Sequence, residues 1–508
     1  MTRLPHCFLA ISAIASAFAQ NADKPPAFDI ADIHASAHVV NPYMRGGVLR
    51  GSRYDVHTAT MLDLISRAYG VESEKVQGGP SWLDTDRFDI SATAPANTPP
   101  ETVKLMLQSL LAQRFQLKVH NDNKPLPAFA LVAGKGKPKM KESDGSGSSG
   151  CRFVPQTATP PSLPSASFLC TNRSMEQFAR DLRNFAGDYL NNPVVDRTGL
   201  KGSWDFEIKW MPRGTTAPAA AAGVDHISVF DAVEKQLGLK LEPDKASVPV
   251  IVVDSVNQMP TGNPPGVTAS LPPAPPAEFE VATIKPSPPD ARNTMGRIEH
   301  GRVNVQNMPL KNLIQVAWDI NADELLAGAP KFVDSAHFDV VAKASIPAGG
   351  QELDFEDLRL MLRALLIDRF DLKVHMEERS VDGYVLTASK PKMQKADSSN
   401  RTGCKEGPGP DGKDPRIQYP ILSRLFYCQN MTMAQFADRL PNLAGGYAHV
   451  TVLDQTGLTD AYDFTLSFSA VQLLQGGRGP MPPKLHRRPL ASSSPSPIQV
   501  APFHYPKP

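Results

Sequence analysis

Arg114-Phe-Gln-Leu-Lys-Val-His120 returns later in the chain as Arg369-Phe-Asp-Leu-Lys-Val-His375. So short a match is weak alone, and its flanks decide what it means. Upstream, Ala27-Phe-Asp-Ile-Ala-Asp-Ile-His-Ala-Ser36 returns as Glu278-Phe-Glu-Val-Ala-Thr-Ile-Lys-Pro-Ser287. Arg53-Tyr-Asp-Val56 returns as Arg302-Val-Asn-Val305, and Phe88-Asp-Ile90 as Phe338-Asp-Val340. Downstream, Met175-Glu-Gln-Phe-Ala179 returns as Met433-Ala-Gln-Phe-Ala437. Val195-Asp-Arg-Thr-Gly-Leu200 returns as Leu453-Asp-Gln-Thr-Gly-Leu458, and Trp204-Asp-Phe206 as Tyr462-Asp-Phe464. The anchors keep their order throughout. Ordered self-similarity of this kind marks an internal duplication.

The anchors divide the 508 residues. Repeat one spans 27–258 and repeat two 278–469, with a Pro-rich linker at 259–277. The linker's Thr261–Pro276 core should be extended and semi-rigid. Repeat one carries a further unit, Ile227–Val253: a helix-like stretch followed by a strand. Repeat two has no such match, so it reads as C-terminally truncated, with a sheet edge left open. Residues 470–508 are rich in Pro, Ser and Gly, with a basic cluster at Lys484–Arg488, and read as a disordered tail.

Compartment follows from the N-terminus and the cysteines. Met1-Thr-Arg precedes the apolar run Cys7–Ala19, which ends small-x-small at Ala17-Phe18-Ala19. That is the form of a signal peptide at 1–19, cleaved after Ala19. No later stretch is long and apolar enough to predict a transmembrane segment in the mature chain. Four cysteines remain: Cys151, Cys170, Cys404 and Cys428. Their spacings fit neither zinc nor a redox pair, and an even count in an exported chain predicts disulfides. Each pair falls at the same place in its own repeat, which favours Cys151–Cys170 and Cys404–Cys428. The expected location is secreted or periplasmic.

The local patterns predict an α+β fold. Phe28–Ile33 alternates like a strand, and Thr60–Tyr69 has an apolar stripe at helical spacing. Phe88–Ala92 reads as a strand and Glu101–Phe115 as a helix. Leu117–His120 and Pro127–Val132 read as separate strands. Ser174-x-x-Gln177 and Thr432-x-x-Gln435 are capping boxes that should each start a helix. A short strand at Val194, a Thr-Gly-Leu turn and a strand at Trp204–Trp210 follow. The expected architecture is two tandem repeats of small β-α-β units, with helices on one sheet face and one disulfide per repeat.

Several of these strings occur together in a known family. They are Phe-[Asp/Glu]-[Ile/Val]-Ala-x-Ile, the Gly78-Gly-Pro-Ser-Trp-Leu83 segment, Arg-Phe-x-Leu-Lys-Val-His, and Asp-x-Thr-Gly-Leu before [Trp/Tyr]-Asp-Phe. In this the chain resembles a domain-of-unknown-function family expanded in soil acidobacteria. Its members typically carry a signal peptide and are sometimes fused to sensor-type metallopeptidases of the BlaR/MecR kind. The resemblance covers almost the whole mature chain as two tandem copies. It implies a compartment and a lineage, and no chemistry. The second copy departs from the pattern at Gly328-Ala-Pro-Lys-Phe-Val333. The chain has no His-Glu-x-x-His. Its helix–turn–strand pieces also resemble, more faintly, the small N-terminal domains of secretin and TonB proteins.

Candidate chemistry is sparse. No Gly-x-Ser-x-Gly elbow is present. Gly407-x4-Gly412-Lys413 lacks the Ser/Thr and the preceding strand of a phosphate loop. His120 and His375 recur on a strand and fit a general base or a metal ligand; a half-buried strand histidine is the weightier reading. Asp196 and Asp454 recur before Thr-Gly-Leu. Paired with Asp205 and Asp463 they would suit acid–base work, but turn bonding to backbone amides carries more weight. Arg114 and Arg369 fit an anion site, or more simply a helix end. Trp82 is a candidate binding aromatic, though Phe332 at its counterpart position favours core packing. No catalytic residue, metal site or cofactor is expected.

A net charge of +1 gives no reason to expect a nucleic-acid partner. The sequence therefore favours a non-catalytic exported module that binds an envelope protein, peptide or glycan. The alternative is a hydrolase using the recurrent Asp and His. That alternative requires His120, Asp196 and Asp205 to converge in one pocket.

Overall fold

The computed structural model describes residues 25–37, 39, 42–154, 165–213, 227–273, 277–320, 323–344, 355–376, 382–419, 422–470, 488–489 and 498–500. The expected signal peptide lies outside the described residues.

Repeat one begins with strands β1 (Ile30–Ala35), β2 (Arg45–Arg50) and β3 (Arg53–Thr60). Helix α1 (Met61–Tyr69) starts at Thr60, whose hydroxyl accepts from the Asp63 amide while Asp63 accepts from the Thr60 amide. It stops at Gly70, in the left-handed conformation that glycine tolerates. Then come β4 (Val76–Gly78), β5 (Arg87–Thr93), α2 (Pro100–Phe115) and the long β6 (Lys118–Ala133). Sheet order is β1-β5-β3-β2, with α1 and α2 on its buried face.

The second half of the repeat repeats this plan. β7 (Lys141–Glu142), β8 (Gly150–Phe153) and β9 (Ala166–Arg173) lead into α3 (Met175–Phe185), capped by Ser174 and Gln177. Then come β10 (Val194–Asp196), β11 (Trp204–Trp210), α4 (Val229–Ala232, continued as a π turn to Leu237) and β12 (Leu239–Ser255). Sheet order is β7-β11-β9-β8, matching the first half strand for strand.

One device recurs in both halves. Thr58 and Asn172 adopt positive φ two residues before the helix cap. Each gives its amide hydrogen to an aspartate on the neighbouring strand: Asp89 at 2.7 Å and Asp205 at 2.7 Å. The left-handed residue makes a β-bulge that re-aims the chain into the helix.

The long strands weld the halves. β6 and β12 pair antiparallel along nearly their whole length, from Leu239 opposite Ala133 to Ser255 opposite Lys118. β10 joins β6 in parallel, and β4 joins β12 in parallel. Each half therefore lends its short strand to the other half's long one. The cores follow the same exchange. Ile251 and Val253, at the end of β12, are buried in the first half's core. Leu131, near the end of β6, is buried in the second half's.

Repeat two follows the plan with β13 (Val281–Pro286), β14 (Met295–Glu299), β15 (Arg302–Pro309), α5 (Leu310–Trp318), β16 (Leu326–Ala327), β17 (His337–Lys343) and α6 (Phe355–Phe370). Its second half has β20 (Gln394–Lys395), β21 (Gly403–Glu406), β22 (Arg424–Thr432), α7 (Met433–Leu443), β23 (Val452–Asp454) and β24 (Ala461–Phe468). Where repeat one has β6, repeat two has the shorter β18 (Val374–Met376) and β19 (Asp382–Leu386). The bulges recur, with the Asn307 amide donating to Asp339 and the Asn430 amide to Asp463.

The disulfides are Cys151–Cys170 and Cys404–Cys428, one in each repeat. Both join directly opposed residues of a hairpin, β8 with β9 and β21 with β22.

Four expectations need correction. The strands expected at Leu117–His120 and Pro127–Val132 are parts of one strand, because β12 supplies partners across the gap. The helix-like stretch of the Ile227–Val253 unit ends at Leu237, where left-handed Gly238 turns the chain into β12. The linker is docked rather than merely extended. Asn263 accepts from the Ile33 amide at 3.0 Å, Thr268 donates to Asp32 at 2.8 Å, and Val267–Ser270 is one helical turn. Arg114, at the end of α2, clasps the same segment through Thr261 and Asn263.

The fourth concerns the end of repeat two. Most of 470–508 lies outside the described residues, but β25 (Arg488–Pro489) and β26 (Ile498–Val500) are strands. β26 pairs parallel with β16 and antiparallel with β18. The register sets Ile498 opposite Leu326, as Ile251 is set opposite Val76. It sets Gln499 opposite His375, as Val252 is set opposite His120. Two independent pairings thus place Ile498–Val500 where repeat one has Ile251–Val253. The wholly disordered tail and the open edge are corrected at these residues.

Candidate functional site

The expected catalytic residues sit apart. His120 lies on β6, exposed, with Nδ1 2.8 Å from Asp254 of β12. Asp196 lies beside Leu131, eleven residues farther along β6. At ~3.3 Å per residue that is on the order of 30 Å away. Asp205 belongs to a different sheet. The structure does not bring the three together.

Each recurrent residue has a local task instead. Asp196 accepts from the Thr198 amide at 2.8 Å and from its hydroxyl at 2.7 Å, and Asp454 accepts from the Thr456 amide at 2.8 Å. These are the turn bonds that Asp-x-Thr-Gly favours. Asp205 and Asp463 hold the bulges. Trp82 packs at the edge of the first core, its ring 6.5 Å from that of Phe88. His375 is exposed on β18. No group of three or more His, Cys, Asp or Glu among the described residues is arranged to hold a metal.

The notable concavity lies elsewhere. A groove of about 730 Å3 opens in repeat one between β2, the end of α1 and the start of α2. Met44, Val48, Leu49, Val71, Val103 and Leu107 give it an apolar lining. Asp63, Arg67, Glu72 and Lys104 contribute charge of both signs. The Ser66 hydroxyl is buried there without a hydrogen-bond partner. Arg67 holds one wall by donating to the Gly47 carbonyl, and Gly46 and Gly47 both have positive φ beside a bulge. A side chain at Gly46 would strike the Asp55 carbonyl, so that wall can approach β3 only as glycine. An apolar cleft with a few convergent polar groups is the usual form of a binding site.

The matching surface of repeat two is occupied, and repeat one fills it. Tyr43 donates from its hydroxyl to Asp319 at 3.1 Å, and Arg45 approaches the same carboxylate at 3.4 Å. Arg359 of α6 donates to both Tyr43 and Asp319, with its guanidinium 5.6 Å from the Tyr43 ring centre. Arg50 pairs with buried Asp357. Burial, then the Asp319 charge, raises the Tyr43 phenol above its ordinary pKa, so it stays a donor. A second contact lies beside the start of β21, next to Cys404. Arg401 grips Asp84 through two nitrogens, at 3.0 and 2.9 Å, and Arg439 donates to the Asp84 carbonyl at 2.6 Å. Burial lowers the pKa of Arg439.

The sequence did not reveal this groove. Its residues come from separated segments and include no residue pattern tied to a reaction. The one retrospective signal is Gly46-Gly47 next to a strand with no turn to make.

A family model described as "Protein of unknown function (DUF3738)" matches residues 62–256 and again 311–496. The second match runs through β25 and nearly to β26. No curated protein and no solved structure matches the chain.

Proposed function

The chain belongs to this family of unknown function, as two tandem copies, and from that premise we propose that it is an exported module that binds a polypeptide in the groove of repeat one. One observation carries the reading: the equivalent surface of repeat two already holds a polypeptide, the Tyr43–Arg50 segment. The apolar lining and mixed charge of the repeat-one groove suit a segment of the same kind. Two disulfides support an oxidising compartment. Among the described residues no helix is long and apolar enough to cross a membrane.

A glycan is a poorer fit. Sugar sites favour exposed aromatic faces, and Tyr54, the aromatic residue in the groove's lining, is fully buried. The test is a photo-crosslinking residue at Val48, in the groove wall, and a control at exposed Tyr419. Both are placed in the full chain as its own cells export it. The expected result is an adduct of polypeptide mass from the groove position alone. No polypeptide adduct from Val48, or equal adducts from both positions, overturns the reading.

A further inference from the structure

The geometry points to a second copy of this chain as the occupant of the groove, presenting β14 of its repeat two; this rests on the groove being a polypeptide site.

The hairpin contact between the repeats is one-sided. Repeat one supplies a hairpin strand and repeat two supplies the helix it meets. A one-sided contact leaves one copy of each surface unused. The unused helix surface is the groove of repeat one. The unused hairpin strand is β14, and all five of its residues are exposed, including Met295 at 54% and Ile298 at 46%.

Register fixes which residue stands for which. Arg50 closes its hairpin opposite Arg53, and Glu299 closes its own opposite Arg302. Arg45 lies opposite His57, and Met295 opposite Gln306. On the helices, counting back from Phe115 and Phe370, Thr102 stands for Asp357 and Lys104 for Arg359. Gly70 and Asp319 are the left-handed caps of α1 and α5. A side chain at Gly70 would come 3.4 Å from the Lys104 ammonium, just as Asp319 meets Arg359.

The two surfaces have changed in step. Inside the chain, Arg45 needs the Asp319 carboxylate. In the open contact the cation is replaced by Met295 and the acid by Gly70, so neither charge is left alone. Inside the chain, Arg50 pairs with Asp357. In the open contact the hairpin charge is reversed to Glu299, the acid becomes Thr102, and the cation Lys104 stands one helical turn from Glu101. Glu299 against Lys104 restores an ion pair of opposite polarity. Met295 is then free to enter an apolar cleft lined by Val48, Val103 and Leu107. The present partners of the two charges, Arg297 and Glu101, are exposed and cost little to exchange.

The test is sedimentation velocity of the mature full chain over a broad concentration range at low salt. The expected result is reversible head-to-tail association that weakens as salt rises. Lys104→Glu and Glu299→Lys should each weaken it about tenfold, and the double variant should restore it. Glu299 is exposed and Lys104 half-buried at the groove's rim, and near-ultraviolet circular dichroism confirms that each variant is folded. A chain that stays monomeric throughout overturns the inference, as do single variants that associate like the parent. If the chain is monomeric while Val48 still crosslinks another polypeptide in cells, the groove reading stands and only the identity of the occupant falls. If Val48 yields no polypeptide adduct, the groove reading falls with it.

Discussion

Repeat one and repeat two share anchors, bulges and disulfides, yet their halves are joined differently. In repeat one, β6 and β12 run opposite each other without interruption. In repeat two the described residues show β18 and β19 in the place of β6, paired with the short β26 and β25. Arg114 clasps the linker, whereas Arg369, among the described residues, pairs with its exposed neighbour Asp368. Among the described residues, the first repeat has two large cores, and the second has one large core and two small ones. The difference separates two jobs. The sheets and bulges build each half, and the backbone ladder makes two halves into one unit.

The strongest test acts on matched core positions. Phe115 is fully buried with its ring 4.9 Å from Phe88, and Phe370 is 4% exposed with its ring 5.1 Å from Phe338. Phe→Ala at either should cost about 3–5 kcal/mol. Phe115→Ala should lower hydrogen-exchange protection across the whole of repeat one, because the ladder couples its halves. Phe370→Ala should lower it only in the first half of repeat two. Equal spreading in both repeats would break the comparison.

Removing residues 488–508 should have a smaller effect. It deletes the register partners of β16, β18 and β19, and at about 1 kcal/mol per net backbone bond the loss is about 2–4 kcal/mol. Amides of Val374–Met376 should exchange faster while those of β6 keep their protection. Unchanged exchange at Val374–Met376 would mean that the tail strand adds nothing to the sheet.

The smallest effect concerns a single carboxylate. The Asn307 amide and then the Ser287 hydroxyl hold Asp339 below its usual range. A depressed folded value means the stabilisation is present above the unfolded pKa of about 3.9 and is lost as pH falls through the folded value. Asp339→Asn should cost about 1–2 kcal/mol at neutral pH and flatten that part of the acid limb. Urea midpoints across the acid range would show it, and an acid limb like the parent's would remove Asp339 from the account.

The duplication was legible because its anchors are the residues that fix backbone geometry. Asp89, Asp205, Asp339 and Asp463 each satisfy a left-handed amide, and no other short side chain does so with a charge. Ser174 and Thr432 were readable as caps for the same reason. The duplication within each repeat was not legible. Its halves share only such devices, Thr60 with Asp63 against Ser174 with Gln177, while the packed side chains differ throughout. The last strand of repeat two escaped notice because Ile498-Gln-Val500 is too short to show a period. The groove escaped because β2, α1 and α2 meet only in space.

The exchange of short strands inside repeat one has a consequence for how the chain is made. Val76 cannot find its parallel partner until Ile251 has been made, so the nascent first half waits with an unclaimed strand and part of its core missing. Long-range pairing of this kind is slow and leaves apolar edges exposed while it waits. Nascent repeat one therefore stays incomplete over the whole interval between those two residues, and a pause in synthesis within that interval would expose its apolar edges longest.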